Sequence, residues 1–311
     1  MTISVLDPGF ATTVQDLGRY GCAHLGISPS GAADSLAFRT ANLMVGNHEN
    51  APALEMTLSG VRLKFGESAV ISIAGAECSF EIDGNPVSRR QAVQIGSGAV
   101  LKCGRMSNGV RTYLAVQGGF DVPLVLGSAS TNMVARFGGV QGRMLRKGDQ
   151  LQIGTLPVRK ARVLDVENMP RSGITGETTF RVTRGVQQEW FAADALLTFF
   201  SQPFKVTEQC GRTGIRLVGE RIAALNTSQL LTDGIPLGAI QVPPEGQPII
   251  LFVDQQTTGG YPKIANVIAA DMHLVGQLRP QDVVRFREVS ISEAVHLLRE
   301  QENWLKRFSR E

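Results

Sequence analysis

Histidine, cysteine and aromatic side chains are scarce in this chain: its 311 residues include 4 histidines and 4 cysteines, and aromatics make up 6 %. Cys22, Cys78, Cys103 and Cys210 are far apart, form no CxxC pair and have no histidine beside them at ligand spacing. A metal centre needs such a cluster, so no metal site is expected and the cysteines read as buried thiols. Charge is sparse too. Charged residues make up 19 %, the formal net charge is +3, and the densest basic places are only Arg89-Arg90, Arg143-Arg146-Lys147 and Arg159-Lys160. Nucleic-acid binding calls for a concentrated basic face with stacking aromatics, so no nucleic-acid partner is expected.

Long apolar runs are absent as well. None approaches the roughly 18 residues of a membrane span, and the opening MTISVLDPGF has neither the basic start nor the apolar stretch of a signal peptide. The expectation is a soluble, cytoplasmic protein without a membrane partner. Walker A, a strand-following GxGxxG and a GxSxG elbow are all missing, which excludes the usual nucleotide-binding and hydrolase signatures.

What is present is glycine, 34 in all, among short apolar segments. From residue 61 to 153 the segments AVISIAG, CSFEIDGNPV, QAVQIG, AVLKCG, RTYLAVQGG and DQLQIG follow one another, with period-two alternation and an Asp83-Gly84 turn signal. That pattern reads as an antiparallel meander. One helix interrupts it, with Ser30 as its cap, Asp34 in its first turn and Gly46 as its stop. A second β-rich half follows a connection rich in proline and glycine, so a duplicated fold is plausible. We expect a mainly β chain with a few helices: residues 1–160 as one domain, 161–178 as linker, 179–289 as a second domain and 290–311 as a closing helix. In the second half VQQEWFAADALLTFF reads as an amphipathic helix, and Ser290 with Glu293 fits a capping box for the last one.

Two polar stretches could carry chemistry. DQQTTGGYPKIANVI, residues 254–268, follows the apolar run Ile249 to Val253, and Pro262 suits the first position of a helix. The expected strand-to-helix turn would aim free N–H groups at a carboxylate or phosphate, with Thr257, Thr258, Gly259 and Gly260 around it. The alternative is plain turn chemistry. The other stretch, residues 13–34, gathers Asp16, Arg19, His24, Ser28, Ser30 and Asp34 before a helix. Arg19 could grip a carboxylate bidentately and Ser30 could hold another anion, or Ser30 and Asp34 could simply cap.

The blocks PGFATTVQDLGRYGCAHLGISPSGAAD, ALEMTLSGVRLKF, YLAVQGGFDVPLVLGSAST, FGGVQGRMLRKGD, LGAIQVPPEGQPIILFVDQQTTGGYPKIANVI and RPQDVVRF resemble, in order, those of the biotin-dependent carboxyltransferase family, also called allophanate hydrolase subunit 2. They run over residues 5–287, and the block around TTGGYPKIA is highly specific. The resemblance implies two tandem cyclophilin-like β-barrel domains. It also implies a hetero-oligomeric 5-oxoprolinase complex with a B component, related to allophanate hydrolase subunit 1 and the Kip inhibitor, and an A component. Such a complex uses ATP, with magnesium as its counter-ion, to open 5-oxoproline to glutamate. Related domains transfer a carboxyl group from carboxybiotin to urea, and one relative antagonises a Kip-type kinase inhibitor. No AMKM-like biotin acceptor occurs here, which favours the lactam-opening reading and implies no covalently attached biotin. The family positions retained are Asp16, Arg19, Ser30 and Asp34 in the first block and Asp254, Gln256, Thr257, Thr258, Gly259, Gly260, Tyr261 and Lys263 in the last. Asp254 and Lys263 are expected as the catalytic pair, and Arg19, Ser30, Asp34, Gln256, Thr257, Thr258, Gly259, Gly260 and Tyr261 as substrate or anion binders. One block departs: Cys210-Gly211-Arg212-Thr213-Gly214 stands where relatives commonly read Ser-Asp-Arg-Met-Gly.

Overall fold

The computed structural model describes residues 2–89, 91–159, 174, 176–225 and 230–307. The chain divides into two compact units, one formed by Met1–Arg19, Ser30–Gly173 and Asn303–Glu311, the other by Tyr20–Pro29 and Ile174–Glu302. Most of the expected linker, residues 161–178, lies outside the described residues; Ile174 is buried and Glu177 already opens a strand.

In the first unit the strands form two sheets. The seven-stranded sheet runs Phe120–Asp121, Gln150–Ile153, Thr2–Asp7, Arg62–Phe65, Val100–Cys103, Phe80–Ile82, Asn85–Pro86. The five-stranded sheet runs Ala11–Gln15, Ala53–Thr57, Asn108–Val116, Ala69–Glu77, Val93–Ile95. All their pairings are antiparallel, as the alternation implied. Asp83 and Gly84 both take positive φ, 51° and 81°, the geometry of a tight hairpin turn matched to strand twist.

Strand parity decides what covers each face. Leu114 and Val116 point into the core shared by the two sheets, with Val5, Leu63, Phe65, Ile73 and Leu101. Tyr113 and Ala115 point the other way and receive helix α1, Ser35–Met44, through Leu36, Phe38 and Ala41, with Trp304 and Leu305 in the same cluster. Phe38 meets the Tyr113 ring edge-on at 5.8 Å. Asp34, not Ser30, caps α1, its Oδ1 accepting from Ala37 N at 2.8 Å. Burial, with the Glu55 and Asp34 carboxylates beside it, pushes the Tyr113 phenol well above its ordinary value. The phenol therefore stays protonated and donates to Glu55 Oε2 at 2.7 Å.

In the second unit the strands close into a barrel: Glu177–Arg184, Lys263–Val267, Ala239–Gln241, Ile249–Leu251, Gly214–Val218, Phe204–Cys210, Val283–Glu288. The last pairs in parallel with the first, Phe180 against Phe286, which completes the ring. Helix α2, Ala193–Ser201, inserts Phe199 into this core, where it stacks on Phe286 at 4.5 Å and lies beside Phe204. Within the stretch expected as an amphipathic helix, Phe191 and Ala195 are buried, while Trp190 and Leu196 are half-buried. A short helix α3, Met272–Val275, and the long α4, Ile291–Arg307, follow. Glu293 N donates to Ser290 Oγ at 3.1 Å, the expected cap, and Ala294, Leu297 and Leu298 pack on Ile268, Ala270 and Val289. The chain is thus mainly β with few helices, as read from its sequence.

Two further expectations fail. Only Cys103 is fully buried; Cys22, Cys78 and Cys210 are half-buried thiols. No helix follows Pro262 either. Lys263–Val267 is a barrel strand, held between Glu177–Arg184 and Ala239–Gln241. Proline suits the first residue of a helix and also the point just before a strand, where its missing N–H is not needed. Here Ile264 and Val267 supply the β-branched surface that the barrel buries.

Phe199→Ala should lower the stability of the second unit by about 3–5 kcal/mol, and Phe199→Leu by much less, as read from denaturant unfolding. The first unit carries an acid-sensitive pair. Hydrogen bonds from the Arg143 guanidinium, at 2.8 and 3.0 Å, hold the Asp149 carboxyl below its ordinary value. That lowering adds stability present above the unfolded carboxyl value, about 3.9, and lost as pH falls through the folded one. Asp149→Asn should therefore flatten the loss of stability below about pH 4 in an acid unfolding series, and an unchanged slope would refute the assignment.

Candidate functional site

In the first unit the expected ligand-binding charges are bound into the fold. Asp16 is 3 % exposed. Its Oδ1 accepts from Gly18 N at 2.8 Å, Ser128 Oγ at 2.6 Å and Ser130 Oγ, and its Oδ2 accepts from Ala129 N at 2.7 Å. Arg19 is equally enclosed: Nε donates to the Val125 carbonyl, Nη2 to the Ser130 carbonyl, and the guanidinium lies 4.7 Å from the Phe137 ring centroid. Together they stitch residues 16–19 to the loop 125–137. Ser30, at φ 57°, accepts from Asn132 Nδ2 at 3.1 Å. With Asp34 capping α1, all four residues have structural duties.

The second unit treats its polar stretch differently. After strand Ile249–Leu251 the chain leaves the barrel and pairs Thr258–Gly259 with Asp233–Gly234 as a two-stranded ribbon, then re-enters at Lys263. At Gly259 an added Cβ would stand 2.7 Å from Ile235 Cδ1 and 3.2 Å from Gln241 Nε2, so these side-chain ends would have to shift. Gly260 would place one 3.2 Å from the Leu230 carbonyl. Ile235 N donates to the Thr257 carbonyl at 3.0 Å, extending the ribbon. Gln256 and Thr258 are exposed, Thr257 half-buried, and Tyr261 is exposed with its carbonyl accepting from Gln241 Nε2 at 3.3 Å.

Asp254, expected as a base, is held by Arg212: Nε to Oδ2 at 2.7 Å and Nη2 to Oδ1 at 3.3 Å, with both side chains under a tenth exposed. Asp254 N donates to the Arg212 carbonyl at 2.8 Å. The block that departs from its relatives thus supplies the residue that anchors Asp254. A paired carboxylate of this kind fixes the start of the polar segment.

Lys263 is the exception. Its side chain is 2 % exposed, its Nζ makes no hydrogen bond among the described residues, and its counter-charge, Asp233 Oδ2, stands 3.5 Å away on a side chain 60 % exposed. Its backbone N–H is met by Gln187 Oε1 at 3.2 Å. An enclosed ammonium costs several kcal/mol unless oxygen atoms surround it, and a solvent-facing carboxylate offsets only part of this. Gln255, the buried neighbour of the exposed Gln256, donates to the Ile235 carbonyl at 2.9 Å while its Oε1 is buried without a partner among the described residues. Sequence reading chose Gln256 and missed Gln255 and Asp233. Only burial in the folded chain separates the first from its neighbour, and the second needs the ribbon pairing. The arrangement can therefore hold a small ligand rich in oxygen acceptors against a cation.

Comparison with known proteins agrees with a carboxyltransferase-like fold. Residues 25–288 match the family described as carboxyltransferase domain, subdomain A and B. The chain is 37 % identical over 308 residues to the C component of 5-oxoprolinase of Haemophilus influenzae, covering 99 % of this chain and 98 % of that one. It is 36 % identical over 307 residues to the Escherichia coli protein of the same name, covering 99 % and 97 %. Among solved structures, the urea amidolyase of K. lactis superposes with a TM-score of 0.95 at 31 % identity, over 99 % of this chain and 20 % of that larger one.

The contrast between the two charged residues is testable by unfolding. Arg212→Ala leaves Asp254 buried without its counter-charge and should cost about 3–5 kcal/mol. Lys263→Met removes an ammonium that has no hydrogen bond to lose and should leave stability unchanged or raised. A large loss in Lys263→Met would show that the ammonium serves the fold.

Proposed function

Because the chain belongs to the carboxyltransferase family, and matches two 5-oxoprolinase C components from end to end, we propose that it is one subunit of an ATP-dependent 5-oxoprolinase. On this reading it works in the cytoplasm with the A and B components of that enzyme to open 5-oxoproline to L-glutamate. The full-length similarity carries the proposal. Buried Lys263, poised against an exposed carboxylate, supports it as the place where this chain contacts the lactam.

Opening an unstrained lactam is uphill near neutrality, and ATP consumed by the complex, with its magnesium, supplies the driving force. Among the described residues no group of three or more His, Cys, Asp or Glu side chains gathers to hold a metal ion. The residues of this chain bind and polarise: Lys263 Nζ donates to the lactam oxygen, where negative charge develops as the carbonyl is attacked. Arg212, through Asp254, sets the position of the segment that carries Gln255, and the Gly259 turn lets the ribbon lie close to the site.

A second reading has its own support in the likeness to urea amidolyase, in which this chain would serve as a carboxyltransferase component acting on urea with a separate biotin carrier. No helix among the described residues is long and apolar enough to cross a membrane.

The deciding experiment is glutamate release from 5-oxoproline and ATP by the purified A and B components, with and without this chain. Glutamate formed only in its presence is the expected result. No glutamate, from A and B components shown to be active with another C component, would overturn the proposal; carboxylation of urea in the presence of a biotinylated carrier would establish the second reading.

A further inference from the structure

Two buried polar side chains, each carrying one unmatched atom, reach the same short segment of the second unit. Lys263 Nζ, a donor, reaches Asp233 Oδ2 at 3.5 Å without forming a hydrogen bond. The Gln255 amide donates to the Ile235 carbonyl at 2.9 Å, which fixes which end is nitrogen and leaves Oε1, an acceptor, buried and unmatched among the described residues. Both side chains thus end on the three residues Asp233–Ile235, yet they do not bond to each other. Gln241 adds a wall: it faces Lys263 across the barrel register, and its Nε2 is turned to the Tyr261 carbonyl at 3.3 Å.

Leaving a donor and an acceptor enclosed without partners is unfavourable for the protein alone. A ligand that presents an acceptor and a donor side by side would satisfy both. One edge of a cyclic or primary amide does so, with C=O and N–H adjacent and coplanar. An ester or lactone does not, because its ring oxygen would confront Gln255 Oε1 as a second acceptor.

We propose that Lys263 and Gln255 form a paired reader of the amide edge, the ammonium donating to the carbonyl oxygen and Gln255 Oε1 accepting the N–H, with Asp233 remaining as the exposed counter-ion of the ammonium. The proposal rests on the reading of this chain as a lactam-binding component and adds the residue that distinguishes a lactam from a lactone. Gln255 is the specificity residue: Lys263 alone would accept either ring, and Gln255 admits the one that carries hydrogen on its ring heteroatom. Sites built to bond such a hydrogen reject analogues that lack it.

The test uses the purified full chain and two probes, 5-oxoproline and the lactone in which oxygen replaces its ring N–H, titrated by calorimetry and by NMR. Wild-type chain should bind the lactam at least about 10-fold more tightly than the lactone, the loss of roughly one hydrogen bond to a ligand. Gln255→Leu should bring the ratio to about 2-fold or less, and Gln255→Met, closer in length, should do the same if the leucine variant fails to fold. Lys263→Met should abolish binding of both probes.

Equal wild-type affinity for the two rings, absence of binding to either, or a ratio that survives in the folded Gln255 variants would each overturn the proposal. Its failure is separable from that of the broader reading. A complex that releases glutamate while folded Gln255→Leu still prefers the lactam keeps the function and loses this site. Gln255-dependent lactam preference without glutamate release keeps the site and loses the function.

Discussion

An ammonium enclosed by protein must be met by oxygen, and the second unit leaves that requirement only partly answered at Lys263. The features around it become intelligible from this constraint. The chain departs from the barrel after Leu251 and returns at Lys263, and the detour forms a ribbon that places one carboxylate, Asp233, 3.5 Å from Nζ. Glycine at 259 lets the ribbon close on Ile235 and Gln241. The Arg212–Asp254 pair fixes the detour's origin, and the barrel ladder fixes its return. A hydrogen-bonded frame therefore surrounds an incompletely satisfied cation, and electrostatic stabilisation of a substrate needs preorganisation.

The first unit shows the opposite use of the same residue types. Asp16 accepts four hydrogen bonds, and Arg19 donates to two carbonyls and lies over Phe137. In sequence these residues looked as promising as Asp254 and Lys263, since an acid and a base near glycines and a helix cap suit ligand binding and loop packing equally. What separates the cases is bonding: Asp16 and the Nε and Nη2 groups of Arg19 are tied to the loop 125–137, whereas Lys263 Nζ makes no hydrogen bond among the described residues.

The sequence made much of the architecture legible where short-range chemistry governs. The Asp83-Gly84 hairpin, the Ser290 cap and the antiparallel order of residues 61–153 follow from turn preference, side-chain capping and alternation. The helix expected after Pro262 failed because proline at a boundary does not say which element comes next; only the neighbouring barrel strands decide it. Asp34 replaced Ser30 as the cap because Ser30 takes a left-handed conformation four residues earlier and bonds to Asn132. At the candidate site, Lys263 and the glycines were legible from the polar segment. Gln255 was not, because adjacent glutamines look alike until burial separates them, and Asp233 was not, because its role depends on a pairing across the ribbon.

The most direct measurement is a crystal structure of the full chain soaked with 5-oxoproline. The lactam oxygen is expected within hydrogen-bond distance of Lys263 Nζ, with the ring N–H on Gln255 Oε1. Ordered 5-oxoproline bound elsewhere, with the Lys263 ammonium still facing Asp233 alone, would contradict it.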